Sequence, residues 1–174
     1  TEEMSRKLKA GDSVLITGTI ISARDAAHKA MTEALAKGEP LPVDWHDQIV
    51  YYLGPTPAKP GDPIGSAGPT TSGRMDAYTP TMLAQGIKGM VGKGSRSPEV
   101  VEAMKKHGVT YFAAVGGAAA LIAKSVKKYE VVGYPELGPE AVAKLTVEDF
   151  PCIVVIDSEG NNFYEMGQKP YRRL

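Results

Sequence analysis

The sequence predicts a single domain of the mixed α/β class, in which strands and helices alternate through the middle and strands dominate the end. Two observations carry this prediction. Short apolar, β-branched segments recur along the chain, and Ala- and Lys-rich segments typical of helices lie between them, with glycine or proline at most boundaries. The chain has 174 residues, which is enough for one domain with a real core, and we assign residues 1–174 to it.

The segments follow in a clear order. Residues 13–21 predict a strand, and residues 24–37 predict a helix with Ser22 as its N-cap and Gly38 at its end. A helix with Ser97 as N-cap and Pro98 in its first position is predicted over residues 97–107, and it ends at Gly108. Further strands are predicted at residues 48–53, 87–94, 110–115, 128–134, 141–148, 151–157 and 161–166, and further helices at residues 76–85 and 116–126.

The composition excludes several classes of protein. Lys plus Arg number 20 and Asp plus Glu number 20, and a chain without net charge lacks the basic excess of a nucleic-acid-binding protein. No apolar run reaches the length of a membrane span, and the N-terminal residues lack the charged-then-apolar order of a signal peptide. Cys152 is the one cysteine, so no disulfide can form within the chain, and a cytoplasmic setting is expected.

The segment Gly65–Asp76, GSAGPTTSGRMD, is the strongest candidate for a functional site. It ends a long Pro- and Gly-rich stretch, and long ordered loops are usually functional. Its glycines allow backbone N–H groups to approach a ligand, the predicted helix after it favours an anion, and Arg74 offers a planar fork for a carboxylate. The alternative is a surface loop whose Ser and Thr side chains cap that helix.

Two other cations lie beside glycines or strand ends. Arg24 lies at a predicted strand-to-helix turn, where open α/β sheets place ligands, although a surface ion pair is the alternative. Lys93 is flanked by Gly92 and Gly94 directly after a predicted strand.

For the histidines, the cysteine and one glycine pair, the sequence mainly indicates structural roles. His28, one helical turn after Arg24, could support that residue, His46 could be a loop residue or a partner contact, and His107 suits the negative end of its helix. No histidine lies at metal-ligand spacing from another ligand, so no metal site is predicted. Cys152 is interpreted as a buried small hydrophobe. The pair Gly116-Gly117 indicates close helix packing or, as the alternative, a backbone contact with a ligand.

Several strings together resemble a known family. The strings ARDAAH, GPTT with SGRMD after it, GKGSRS, GGAAAL and VEDFPCIVVID are similar to those of the C-terminal domain, or β subunit, of class I iron–sulfur-dependent fumarate hydratases. The β subunits of L-tartrate dehydratases are similar too. The resemblance covers the chain from about Leu8 to Phe163, in the family's order and spacing.

The resemblance implies a swivelling β/β/α domain and the reversible hydration of fumarate to L-malate. It implies substrate-binding roles for Arg24, Arg74 and Lys93 and a catalytic base at Thr70, with the neighbouring Thr71 as the alternative. Two arginines and a lysine are a suitable complement for a dicarboxylate dianion.

The resemblance also implies a partner. In the family, three cysteines of the α part hold a 4Fe–4S cluster that acts as a Lewis acid. Because this chain has only Cys152, the cluster is expected in a separate α subunit, and the chain is expected to be inactive alone.

Overall fold

The structure, a computed structural model, describes residues 1–114 and 119–168. The α-helices are α1 (Glu2–Lys7), α2 (Asp25–Ala36), α3 (Thr79–Leu83), α4 (Pro98–His107), α5 (Ala119–Ser125) and α6 (Phe163–Gln168). The strands are β1 (Ser13–Ser22), β2 (Ile49–Tyr51), β3 (Gly89–Gly92), β4 (Thr110–Ala114), β5 (Val126–Gly133) and β6 (Val142–Ile156). Two 3₁₀-helices span Ser72–Met75 and Pro135–Glu140. The predicted mixed α/β class is confirmed.

The strands pair into one sheet that closes on itself. Strands β1, β2, β3 and β4 lie side by side and parallel, in that order. The 15-residue strand β6 is antiparallel to both β1 and β4, so it joins the two outer strands of the parallel set. Strand β5 pairs only with the first half of β6. The parallel strands consequently all end at the same edge of the sheet.

The two faces of the sheet bury separate apolar clusters. Along β1, Ile20 and Ile21 point to opposite faces because side chains alternate on a strand, and they belong to different clusters. The cluster around Ile21 packs against helices α2, α3 and α4, through residues such as Met31, Met82 and Met104. The other cluster includes side chains from β5, α5 and the loop after β2. Both faces are therefore covered, which fixes the strand ends firmly.

Helix α4 confirms its predicted boundaries. The Ser97 side chain accepts a hydrogen bond from the backbone N–H of Val100, and Pro98 occupies the first helical position. Gly108 ends the helix in the left-handed conformation, at φ 64°.

One predicted strand was wrong, two predicted strands proved to be one, and one predicted helix is shorter than expected. Of the strand predicted at residues 161–166, residues 163–166 belong to helix α6, because the Asn162 side chain accepts from the Tyr164 N–H and begins a helix despite the aromatic residues. Residues 141–148 and 151–157 belong to one continuous strand, β6. Of the helix expected over residues 76–85, only the five-residue α3 is α-helical, and the 3₁₀-helix Ser72–Met75 precedes it.

Two termini of helices also differ from prediction. Ser22 is the buried last residue of β1, and Arg24 is the N-cap of α2 without a side-chain capping bond. Before residue 13, where no element was predicted, the Thr1 side chain accepts from the N–H of Met4 and begins helix α1. Within the described ranges, no helix combines the length and the apolar character needed to cross a membrane.

Candidate functional site

The four residues singled out by sequence all lie beyond the carboxyl ends of three parallel strands. Arg24 comes two residues after β1, Thr70 and Arg74 lie in the loop that follows β2, and Lys93 comes directly after β3. In parallel α/β sheets, open or closed, ligands bind at the edge formed by the carboxyl ends of the strands. The sheet topology therefore brings residues 24, 70–74 and 93 to one side of the molecule.

Arg24 is held by an acidic side chain from a distant part of the chain. Its Nη2 lies 3.1 Å from Oε1 of Glu140, while Oε2 of Glu140 accepts from the N–H of Ala26 at 3.0 Å. Glu140 thus supplies the cap that helix α2 lacks from its own N-cap residue. The guanidinium also packs against Gly54, where an added Cβ would overlap Nη1. The ion-pair alternative for Arg24 is correct, but the pair lies at the candidate site.

Arg74 is tied to the same region through Asp25, the first residue of α2. Its Nε donates to Oδ1 of Asp25 at 2.9 Å, and 53% of the Arg74 side chain is exposed. Asp25 also faces Arg24, with Oδ2 at 3.7 Å from Nε of that arginine. One carboxylate therefore stands between the two arginines.

The loop after β2 lies alongside the exit of β3. The N–H of Thr70 donates to the carbonyl of Tyr52 at 2.7 Å, which anchors the loop to the end of β2. The N–H of Ser72 donates to the carbonyl of Lys93 at 2.9 Å, and the N–H of Lys93 donates to Ser72 Oγ at 3.1 Å. Thr71 and Lys93 form a parallel bridge. Lys93 is therefore a backbone neighbour of Thr70–Arg74, and the Nζ of Lys93 has no hydrogen-bond or ion-pair partner among the described residues.

Several backbone N–H groups of the Gly65–Asp76 loop are engaged within the protein, including those of Thr70 and Ser72 in its second half. The N–H groups of Gly65 and Ser66 are used by Thr56, at its carbonyl and its Oγ1, over 3.2 and 2.7 Å. The capping alternative does not hold either, because Thr71 precedes the 3₁₀-helix and makes no side-chain cap bond. The expectation of an anion site therefore depends on the half-exposed Arg74 side chain and the neighbouring Lys93, which mark the segment Thr70–Arg74.

A buried arginine that the sequence did not single out lies beneath this segment. The Arg96 side chain is fully buried, and its Nε donates to Oδ1 of Asp76 at 2.7 Å. The other oxygen of Asp76 accepts from the N–H of Ser97 at 2.7 Å. Arg96 also donates to Thr79 Oγ1 at 2.8 Å and to the hydroxyl of Tyr52 at 3.2 Å. The end of the loop is thereby clamped to the segment that follows Lys93.

The rings of two tyrosines pack against the Arg96 guanidinium. The guanidinium carbon of Arg96 lies 5.2 Å from the centre of the Tyr52 ring and 5.1 Å from that of Tyr111, within the range of cation–π attraction. The Tyr111 hydroxyl lies 2.9 Å from both Ser72 Oγ and the Gly94 carbonyl oxygen. Burial raises the pKa of Tyr111, so its phenol stays protonated and can donate. Arg96 and Asp76 lie in the GKGSRS and SGRMD strings, but their pairing has no signature in sequence.

His28 contacts the backbone of Arg24 from the buried side of helix α2. It is completely buried, and because a carbonyl can only accept, its Nδ1–H donates to the Arg24 carbonyl at 2.8 Å. Burial lowers the pKa of His28 to about 4, so the ring is neutral near pH 7. The predicted supporting position of His28 fits these contacts.

The other two histidines lie away from the four site residues. His46 lies in the loop before β2, with Nδ1 at 3.6 Å from Asp47 Oδ2. His107 does not carry the charge expected at the end of α4, because burial and the nearby Lys106 and Lys88 lower its pKa. Lys88 supplies that charge instead, through an Nζ bond to the His107 carbonyl at 2.6 Å.

The described residues do not fit an iron–sulfur cluster. Cys152 is buried in β6, and burial raises the pKa of its thiol to about 12, far from the thiolate that a cluster requires. In residues 1–114 and 119–168, no group of three or more His, Cys, Asp or Glu side chains is placed to hold a metal ion.

A cleft lies between the first part of the loop after β2 and the elements α5 and β5. Its volume is about 940 Å³, and it is lined by the loop from Thr56 to Ser66 and by residues of α5 and β5, including Lys124. None of Arg24, Thr70, Arg74 or Lys93 lines it. The Gly116-Gly117 pair lies outside the described residues. We place the site by its chemistry rather than by the size of this cleft.

Comparison with known proteins identifies the family. A family model described as Fumarase C-terminus matches residues 1–167. The aerobic class I fumarate hydratase of Escherichia coli (strain K12) is 46% identical over 155 residues, which are 88% of this chain and 28% of that protein. Fumarate hydratase 2 of Leishmania major is 45% identical over 156 residues, again 88% of this chain and 28% of that protein.

One relative has a length similar to that of this chain. The putative L(+)-tartrate dehydratase subunit beta of Methanocaldococcus jannaschii is 43% identical over 181 residues, covering 100% of this chain and 93% of that subunit. By contrast, the chain spans about a quarter of the length of the fumarate hydratases that it matches. The match over residues 1–167 shows that the chain belongs to the Fumarase C-terminus family.

Proposed function

We propose that this chain, residues 1–174 as one domain, is the β subunit of a hydro-lyase that reversibly hydrates fumarate to L-malate. The observation that carries the proposal is the convergence of Arg24, Arg74 and Lys93 beyond adjacent parallel strands. The names of the fumarate hydratases at 45–46% identity support the choice of reaction. The full-length match to a beta subunit supports a separate chain.

The charges at the site suit a dicarboxylate better than a nucleotide or a neutral ligand. Lys93 is exposed, and its Nζ is paired with no carboxylate among the described residues. About half of the Arg74 side chain is exposed as well. Each can make a charge-assisted hydrogen bond to a carboxylate oxygen. The sequence contains no GxxxxGK[ST] motif, so a phosphate-cradling role has no support.

In this proposal Thr70 is the base of the reverse reaction. It removes a proton from the carbon of L-malate next to the one that bears the hydroxyl group. A threonine hydroxyl is a poor base near neutral pH, so the nearby cations Lys93 and Arg74 would have to favour its anion. Trans addition also needs an acid on the opposite face of the substrate. We assign that face to the partner subunit.

The proposed partner is an α subunit that carries the 4Fe–4S cluster, which the described residues of this chain do not fit. When bound in that subunit, the cluster would supply Lewis-acid chemistry for the hydroxyl group that is gained or lost. The residues of this chain would bind and orient the carboxylates and move the proton. We further propose a cytoplasmic location, consistent with the reduced, buried Cys152.

Tartrate is the second candidate substrate. The observation in its favour is the match to the M. jannaschii subunit, whose length this chain nearly equals. Dehydration of tartrate would use the same cations and give oxaloacetate. Turnover of L-malate and of L-tartrate by the same assembled enzyme distinguishes the two candidates.

The replacement Arg74→Ala tests the proposed site. After coexpression with an iron-loaded α subunit, we expect fumarate hydration to fall by at least about a hundredfold, because a charge-assisted, bidentate contact is lost. The loss of fumarate absorbance measures the rate, and circular dichroism checks the fold. Arg6→Ala is the matched control, since Arg6 pairs with Glu2 on the exposed surface of α1. Full activity of Arg74→Ala would contradict the site.

The same assay tests a binding module without catalysis. If the wild-type chain turned over no dicarboxylate with its partner, yet bound L-malate tightly alone in calorimetry, the enzyme proposal would fail and the binding module would replace it.

Neighbouring threonines provide a built-in comparison for the base. We expect Thr70→Val to lower kcat by about a hundredfold or more, whereas Thr71→Val keeps kcat within about threefold, since losing a general base typically costs two to four orders of magnitude. Valine preserves the shape of threonine, so both variants should fold. The opposite ranking would assign the base to Thr71.

A further inference from the structure

Arg74 reaches its neighbours through one nitrogen only. Its Nε donates to Asp25 Oδ1 at 2.9 Å, and its Nη1 and Nη2 make no hydrogen bond or ion pair within the part of the chain that the structure describes. Arginine can bind a carboxylate bidentately along its Nε–Nη2 edge or across its two Nη atoms. Since Asp25 occupies Nε, the edge formed by Nη1 and Nη2 is the one left for a ligand.

Asp25 is a mostly buried acceptor at the start of a helix. It opens helix α2, directly after Arg24, whose own Nη2 is paired with Glu140. Only 28% of the Asp25 side chain is exposed, and Oδ2 is buried without a hydrogen-bond partner, 3.7 Å from the equally unpartnered Nε of Arg24. The acceptor is thus placed by helix α2, whereas the arginine that donates to it is half exposed.

From this geometry we propose that Asp25 is a positioning residue for substrate binding, which orients Arg74 so that its two terminal nitrogens receive one carboxylate end-on. The inference rests on the proposed function. Arg74 lies on a loop, and ordering a long side chain at the moment of binding weakens affinity. Asp25 orders it beforehand. The carboxylate of Asp25 also offsets part of the positive charge of Arg24 and Arg74. Removing Asp25 would therefore weaken substrate binding if Asp25 positions Arg74, and would strengthen it or leave it unchanged if only the charge of Asp25 matters.

The test uses Asp25→Ala and Asp25→Asn in the assembled enzyme. Alanine removes the acceptor and the charge, whereas asparagine keeps an oxygen that can accept from Arg74 but removes the charge. If Asp25 positions Arg74, Asp25→Ala raises KM for L-malate about tenfold with kcat within about threefold, and Asp25→Asn restores most of the loss. If Asp25 acts only through its charge, both variants lower KM or leave it unchanged, and the inference fails.

A second readout is independent of turnover. In the ¹⁵N-labelled full chain, the heteronuclear NOE of the Arg74 Nε–H is expected to be high in the wild type and in Asp25→Asn, and low in Asp25→Ala. An equally high value in Asp25→Ala would overturn the positioning role. Glu102→Ala is the matched control, because Glu102 pairs with Lys105 on the exposed side of α4.

Failure of the proposed function has a different signature. If the wild-type assembly turned over no dicarboxylate, the proposed function would fail, and the inference about Asp25 would fail with it. An active wild type whose KM does not change in Asp25→Ala would overturn the inference about Asp25 alone.

Discussion

Replacing Arg96 by methionine is expected to lower the free energy of unfolding by about 3–5 kcal/mol, the usual cost of breaking a buried ion pair from one side. Arg96 donates hydrogen bonds from all three guanidinium nitrogens, to Asp76, Tyr52 and Thr79 among others. Methionine fills similar apolar space but donates nothing. The Asp76 carboxylate, only 15% exposed, would then keep one backbone N–H but lose its charged partner.

Urea unfolding followed by circular dichroism measures this loss. Lys105→Met is the matched control, since Lys105 pairs with Glu102 at the surface and such pairs contribute at most about 1 kcal/mol. The double variant Arg96→Met, Asp76→Asn should lose less than the sum of the single variants, because it removes the uncompensated charge. A loss below about 1 kcal/mol for Arg96→Met would show that the pair contributes no more than a surface ion pair.

Replacing Gly54 by alanine is expected to lower kcat/KM by about a hundredfold while leaving the fold intact, since a displacement of about 1 Å at a site can cost that much. The added Cβ would overlap Arg24 Nη1 and approach its Cζ to 3.0 Å. The backbone of Gly54 is not in the left-handed region, so alanine introduces no strain there. The guanidinium must therefore move, which disturbs its pair with Glu140 and its place beside Asp25.

Steady-state kinetics of the assembled enzyme, with a thermal melt of the same sample, separates this effect from unfolding. Gly167→Ala provides the comparison, because its added methyl group meets no described atom within 4 Å. Normal kinetics in Gly54→Ala would mean that Arg24 does not need its present position for turnover.

The sequence indicated the local features of the fold well. Ser97, Pro98 and Gly108 mark both ends of α4 because capping depends on residues within a few positions of each other. Where two local signals compete, the prediction was wrong. Around Asn162 the aromatic residues favour a strand, but a side-chain bond to the Tyr164 N–H starts a helix.

The site illustrates the same limit over longer distances. Glycines and strand ends in sequence point to Arg24, Arg74 and Lys93, and the topology brings these residues to one edge. Their carboxylate partners could not be predicted, since Glu140 lies more than a hundred positions from Arg24 and no local pattern links them. The Arg96–Asp76 clamp depends likewise on packing between segments that only the folded sheet brings together.

The closure of the sheet by β6 has a consequence for how the protein folds. Ser13 pairs with Ile153 and Ser22 with Ala143, so β1 pairs with residues that lie more than a hundred positions later in the sequence. Contacts between residues so far apart in sequence slow folding, because the entropy of closing a long loop is lost before the contact stabilises anything. During synthesis, Glu140 and β6 emerge more than a hundred residues after Arg24. Arg24 therefore acquires its carboxylate partner, and β1 its long antiparallel neighbour, well after both have themselves been synthesised.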